Sequence, residues 1–233
     1  MSRPITPARA NFERKMAAAR AAETPAAVRG DATAYELMLA KLAEDRRRLH
    51  EIQSIERKIE LKRTLLPDYA PWITGVLAGN HGVQDDVLMT VMVWRIDTGD
   101  LEGALAIAAY AIEHQLAMPD QYKRSTGCLI AEEFAGHALK LEVIDAATTK
   151  QLLLAERLVA EQDMPDEVRA KLLKAIGYGL NRSDDIEQKR AAIDYLKRAL
   201  ALHDGVGVKK NIEAIEREIK KLTDSGAGNP PGA

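Results

Sequence analysis

The alternation of apolar and polar positions divides the chain into one long regular stretch and a series of shorter ones. From Asp31, a good N-cap residue, to Leu66 there is no glycine or proline. A helix over that whole stretch would be about 50 Å long at about 1.5 Å per residue. Tyr35, Leu42, Leu49, Glu56 and Arg63 recur every seven residues, and Met38, Asp45, Ile52, Ile59 and Leu66 form the companion series. The apolar members are Tyr35, Met38, Leu42, Leu49, Ile52, Ile59 and Leu66. This spacing predicts a coiled-coil-like seam for oligomerisation, with polar faults at Asp45, Glu56 and Arg63. Such a seam pairs with itself, with another subunit or with the following domain, and the pattern does not choose among them.

Pro67 and Pro71 predict the end of the long helix, and Trp72, Ile73, Val76 and Leu77 open a compact body. Gly79, Asn80 and Gly82 read as a loop. Asp85 and Asp86 then stand at the start of a strongly apolar helix through Trp94, where carboxylates complement the helix dipole. A tight turn at Thr98-Gly99-Asp100 joins it to a second helix over Leu101 to about Leu116. Further helices are predicted at about Cys128–Leu141, Ala147–Gln162, Asp166–Gly179, Asp184–His203 and Val208–Leu222. Ala104, Ala108 and Ala111, and later Ala192 and Ala199 flanking Leu196, resemble the packing positions of a degenerate tetratricopeptide helix pair. The expected fold is therefore all-α: a long coiled-coil-like N-terminal helix followed by an antiparallel helical-hairpin body. Its parts are a basic arm over 1–30, the long helix over 31–66, the hairpin domain over 67–222 and a disordered tail over 223–233.

Composition supports this class, since only 4% of residues are aromatic while the good helix formers dominate. The net charge of −2 conceals an asymmetry. Residues 1–63 carry fourteen Lys and Arg against nine Asp and Glu, so an electropositive N-terminal third precedes a body of net charge −7. That is a footprint for a polyanion, and equally what a solvated mixed-charge helix presents. Arg9, Arg14, Lys15 and Arg20 of the arm, Arg46, Arg47 and Arg48, and then Arg57 and Lys58 are the candidate phosphate contacts, with Lys62 and Arg63 continuing the series. Cys128 is the single cysteine, which points to a reducing, cytosolic compartment. No stretch approaches the roughly 18 apolar residues of a membrane span.

Catalytic motifs are weak. Glu56-Arg57-Lys58 and Glu60-Leu61-Lys62 match the E-x-K half of a nuclease motif, yet that motif works from strands and these lie in a helix. Asp85 and Asp86 stand about 17 Å along the helix axis from Asp97 and Asp100, too far to share one metal, so capping is the expected role. Gly205-Val206-Gly207-Val208-Lys209-Lys210 lacks the spacing of a phosphate loop. The five histidines show no metal-ligand spacing. No catalytic residue, metal or cofactor is therefore expected.

Two blocks carry a family resemblance: Gln84-Asp85-Asp86-Val87-Leu88-Met89-Thr90-Val91-Met92-Val93-Trp94-Arg95-Ile96-Asp97-Thr98-Gly99-Asp100, and Asp163-Met164-Pro165-Asp166-Glu167-Val168-Arg169-Ala170-Lys171-Leu172. With Leu65-Leu66-Pro67, Pro71-Trp72 and Gly75-Val76-Leu77, and with Ala32-Thr33 before Tyr35-Glu36, the chain resembles the small terminase subunit of temperate, contractile-tailed bacteriophages over about residues 30–210. The resemblance implies a protein of the host cytoplasm that recognises the packaging site on double-stranded viral DNA. It also implies a ring-like homo-oligomer that hands the DNA to a large subunit holding the ATPase and the nuclease. No helix-turn-helix is apparent in residues 1–30, which places the DNA contact on the N-terminal third as a whole. The alternatives are a helical-repeat scaffold for protein partners without DNA binding and, further off, a metal-dependent DNA endonuclease. In this family's "endonuclease subunit" label, catalysis is expected to belong to the large subunit.

Overall fold

A computed structural model describes residues 26–226, with side chains described over 34–224. The described residues form nine α-helices and one 3-10 turn, with no strand among them. They fall into two compact units divided between Glu51 and Ile52.

The described part of the first unit is α1 (Ala26–Glu51). Arg48 and His50 occupy its last turn, where cations complement the negative end of the helix dipole. Leu42, Asp45 and Leu49 are buried and Tyr35 and Met38 are half-buried on this helix. The single helix expected from Asp31 to Leu66 is interrupted, however. Ile52, Gln53 and Ser54 are non-helical, and α2 (Ile55–Gly79) begins after them. Ser54 is its N-cap, its hydroxyl accepting from the Arg57 backbone N–H at 3.3 Å, and Glu56 lies in its first turn. A basic last turn followed by a serine cap and an acidic first turn is the chemistry of a stop and a restart. The seven-residue register outweighed it in the sequence reading.

Pro67 and Pro71 do not end α2; both lie inside it. Each proline removes one N–H, which would have bonded to the carbonyl four residues earlier. Because the two are four apart, the losses stack on one side, at Arg63 and Pro67, and both prolines and Arg63 are exposed. Solvent can reach the freed carbonyls there. Leu65, Tyr69 and Ile73, buried on the opposite side, hold the helix together across the defect.

The remaining helices of this unit are α3 (Asp86–Thr98), α4 (Leu101–Glu113), α5 (Thr126–Ala138), α6 (Ala146–Leu158), α7 (Asp166–Leu180), α8 (Ile186–Leu202) and α9 (Lys209–Gly226), with the 3-10 turn at Asp204–Val206 before α9. Helix α3 is buried on all sides from Val87 to Trp94, which places it in the middle of the core rather than on a surface. It packs against α2, α4 and α5; α5 packs on α7, and α4 on α6. Tight α3–α4 and α7–α8 pairs and the longer-looped α5–α6 pair thus lie one on the next, and α9 closes the end against α8. The pairs begin at Asp86, Thr126 and Asp166, a forty-residue spacing that exceeds the about 34 of a tetratricopeptide repeat.

Asp85 ties α2 to α3. Its carboxylate accepts from the Leu88 backbone N–H at 2.8 Å, capping α3, and from Trp72 Nε1 on α2 at 2.8 Å. Tyr69 of α2 meets Trp94 of α3 edge to face, with ring centroids 5.8 Å apart. Burial pushes the Asp85 carboxyl above the usual carboxylate range, assisted by Asp86, and the hydrogen bonds from Leu88, Trp72 and Val87 only partly offset it. The folded state therefore holds this proton more tightly than the unfolded chain does. The contribution of Asp85 to stability is greatest below its ordinary value of 3.8 and declines as pH rises through the elevated folded value. At the other end, Gly177 of α7 lets α8 approach: a Cβ there would stand 2.6 Å from Leu196 Cδ2 and 3.2 Å from the Ala192 carbonyl oxygen.

Three outcomes follow in urea unfolding followed by circular dichroism. Asp85→Ala removes a cap and leaves the Trp72 N–H without its acceptor, and is expected to cost about 2–4 kcal/mol. Gly177→Ala is expected to destabilise by about 1–3 kcal/mol through overpacking. Gly136→Ala in α5, where a Cβ meets nothing within 4 Å, is expected to stabilise by about 0.4–1 kcal/mol.

Candidate nucleic-acid interface

The predicted phosphate contacts have different fates. Arg9, Arg14, Lys15 and Arg20 lie outside the described residues. On α1, Arg46, Arg47 and Arg48 are all exposed, as a run of three on a helix must largely be. Asp45, with a side chain only 4% exposed, accepts from Lys41 Nζ at 2.7 Å and from Arg48 Nη1 at 3.1 Å. A buried carboxylate stays charged where cations and hydrogen bonds satisfy it, so Arg48 and Lys41 are held to that task. Arg47 forms a surface ion pair with Glu44, an interaction worth little in water and readily exchanged for another anion. Arg46 makes no ion pair among the described residues. Asp45, a fault in the seam by its sequence, thus becomes the group that orders the cations around it.

On α2, Arg57 is exposed and Lys58 half-buried. Lys62 and Arg63 are committed inside the second unit: Lys62 pairs with Asp97, and Arg63 Nη2 donates to the Thr98 carbonyl oxygen at 3.4 Å. Both anchor α2 to the C-terminal end of α3, where cations suit the dipole. Among the predicted contacts in the described residues, Arg46, Arg47, Arg57 and Lys58 are therefore the ones not engaged by a buried or interhelical partner. The seam residues Ile52, Ile59 and Leu66 are half-buried, with Ile52 in the break and the other two on α2.

The carboxylates resolve as caps. Asp85 caps α3, and Asp100 caps α4 by accepting from the Gly103 N–H at 2.9 Å while holding Arg95 Nη1 at 2.7 Å. No group of three or more His, Cys, Asp or Glu among the described residues has metal-binding geometry. One ionisable corner escaped the sequence reading, because its members come from distant helices. Around Asp97 stand Lys62, Glu133 and His137. Burial raises the Glu133 carboxyl above its usual range, assisted by Asp97 and Glu132 and opposed by Lys140 and Lys62. Burial, and after it Lys140, lowers His137 and favours its neutral form, against Asp97. Cys128 is buried, and burial likewise raises its thiol, which makes it a poor nucleophile. The Gly205–Lys210 segment is the 3-10 turn and the start of α9, with Gly207 at φ +76° supplying the turn.

Comparison with known proteins gives the lineage. Residues 39–167 match the family described as phage small terminase subunit, a span that covers α2 to α6 and includes Arg46, Arg47 and Arg57. The chain is 45% identical over 207 residues to the "Terminase, endonuclease subunit" of Escherichia phage P2, covering 88% of this chain and 83% of that protein. It is 26% identical over 204 residues to the "Probable terminase, endonuclease subunit" of Haemophilus phage HP1 (strain HP1c1), covering 82% of this chain and 73% of that protein. No solved structure matches. A match over more than half the chain, with a 45%-identical relative across most of it and an all-helical body built on the Asp85–Asp100 block, places the chain in the phage small terminase subunit family.

Proposed function

We propose that this subunit recognises double-stranded viral DNA at the packaging site and presents it, as a ring-like homo-oligomer, to a large subunit that carries the ATPase and nuclease chemistry. The observation that carries the reading is the state of the cations on α1: Arg46 and Arg47 are exposed, Arg47 held only by a surface pair with Glu44, while the buried Asp45 is engaged by Lys41 and Arg48. Arginine is suited to this task because its planar guanidinium meets phosphate oxygens in a two-pronged hydrogen-bonded pair. Arg57 and Lys58 on α2 extend the same chemistry, and the arm's Arg9, Arg14, Lys15 and Arg20 add to it. Of the apolar seam, the half-buried Tyr35, Met38, Ile52, Ile59 and Leu66 supply the contacts between subunits, while Leu42 and Leu49 are already buried within the chain. No helix of the described residues is long and apolar enough to cross a membrane, and the host cytoplasm is the proposed site of action.

Replacing Arg46 and Arg47 together by Ala is expected to reduce the slope of log K against log salt by about 1.8 per engaged subunit, from about 0.9 for each phosphate contact. Stability should change by less than about 0.5 kcal/mol, as for surface residues generally. Arg48→Ala is expected to behave differently, lowering the unfolding midpoint because it leaves Asp45 with one cation fewer. Gel shift across a salt series with an end-sequence duplex checks both. A double variant with wild-type affinity and slope would move the DNA contact off this helix. Separately, light scattering at tens of micromolar protein without DNA is expected to report an oligomer, and a monomer would refute the assembly reading.

A further inference from the structure

We propose that the exposed Leu37 face of α1 in one subunit docks into the groove between the α5–α6 loop and the end of α7 in the next, a head-to-tail contact between copies of this chain. The proposal rests on the assembly reading above and adds the two surfaces that meet. Head-to-tail contacts close into a ring by joining two different faces of each subunit, one to the next. The seam occupies only one side of α1. At 3.6 residues per turn, Leu37, Ala40 and Glu44 stand together on another side of the same helix, and all three are exposed.

The groove lies wholly within the second unit. The α5–α6 loop supplies Leu141, Val143 and Ile144, and Tyr178 and Arg182 line it from the end of α7. Leu141 and Val143 are exposed, so apolar surface is left open to water there. The cavity is about 260 Å³, below the about 300–1,000 Å³ of a small-molecule site. It has room for a side chain rather than a free ligand.

Charge selects the occupant. Lys171, Lys174, Tyr178 and Arg182 recur at spacings of three and four, which puts them on one face of α7 and just past its end. Lys174 Nζ lies 5.5 Å from the centre of the Tyr178 ring. Lys171 and Arg182 are exposed and make no ion pair among the described residues. Glu142 is the one carboxylate among the lining residues, so the α7 side of the groove is cationic. It fits an apolar side chain with an acid beside it. Leu37 is 69% exposed, and exposed Glu36 precedes it. No Lys or Arg occurs from Gly30 to Ala40 to oppose that charge. Ala40 presents only a methyl group, which lets the helix come close. Glu36 then faces Arg182 at the rim, a pair that sets orientation more than affinity.

The test mixes two full-length variants, Leu37→Cys and, on a chain carrying a mass tag, Val143→Cys, both at exposed positions and with buried Cys128 left in place. Mild oxidation is expected to give the mixed disulfide dimer in clear excess over either homodimer. Leu37→Ala is expected to weaken self-association by about tenfold to a hundredfold in light scattering across a dilution series, the loss of one buried leucine at each contact. Arg182→Glu is expected to shift the assembly toward monomer, and Glu36→Arg on the same chain to restore it, a rescue that damage to folding does not give. An assembly that forms no mixed disulfide and ignores both Leu37→Ala and Arg182→Glu overturns the contact and leaves the assembly reading standing. A wild-type monomer at tens of micromolar overturns both. A chain with both cysteines that closes a disulfide on itself, while the mixture forms none, also overturns the contact between copies.

Discussion

Helix α3 must be hidden on every side, and the second unit is arranged to do that. A helix with one apolar stripe needs one neighbour, whereas the run Val87 to Trp94 has no polar face to give to water. It is covered by α2, α4 and α5 together. Its N-terminus is buried as well, and its free backbone donors require an acceptor there. Asp85 is that acceptor, and it takes the Trp72 N–H in the same stroke, so the cap of one helix is also the docking point of another. The opposite end is closed by Lys62 on Asp97 and Arg63 on the Thr98 carbonyl. Helix α2 is thereby clamped along α3, which explains how it tolerates two internal prolines.

This division of labour sorts the basic residues of the N-terminal third. Those near α3 are structural, and so are Lys41 and Arg48, which neutralise the buried Asp45. Arg46, Arg47, Arg57 and Lys58 have no comparable demand on them. A count of charges along the chain gives each cation equal weight, but the partners that the fold brings near decide which are held in place.

The family assignment and the local chemistry address different questions. Membership of the small terminase subunits rests on the match over residues 39–167 and on the phage P2 relative. Which side chains meet DNA is a separate matter of local exposure and charge pairing, and it rests on the proposal that Arg46 and Arg47 are among them.

Much of the fold is legible in the sequence itself. Helix class, the α3–α4 hairpin with its Gly99 turn, the five later helices and the capping role of Asp85 and Asp100 all follow from short-range chemistry: apolar period, cap residues and glycine at a positive φ. Tertiary structure decided what short-range rules leave open. Pro67 and Pro71 sit within a helix because buried Leu65, Tyr69 and Ile73 on the far face outweigh two missing hydrogen bonds. The expected long helix divides at Ile52–Ser54 although its register runs on, with Ser54 capping the second helix. Lys62 with Asp97, and Glu133 and His137 near it, are joined only in space, by helices that no local pattern relates. Periodicity reports which face of a helix avoids water; what that face is pressed against, and hence which charges remain free, depends on contacts between residues far apart in the chain.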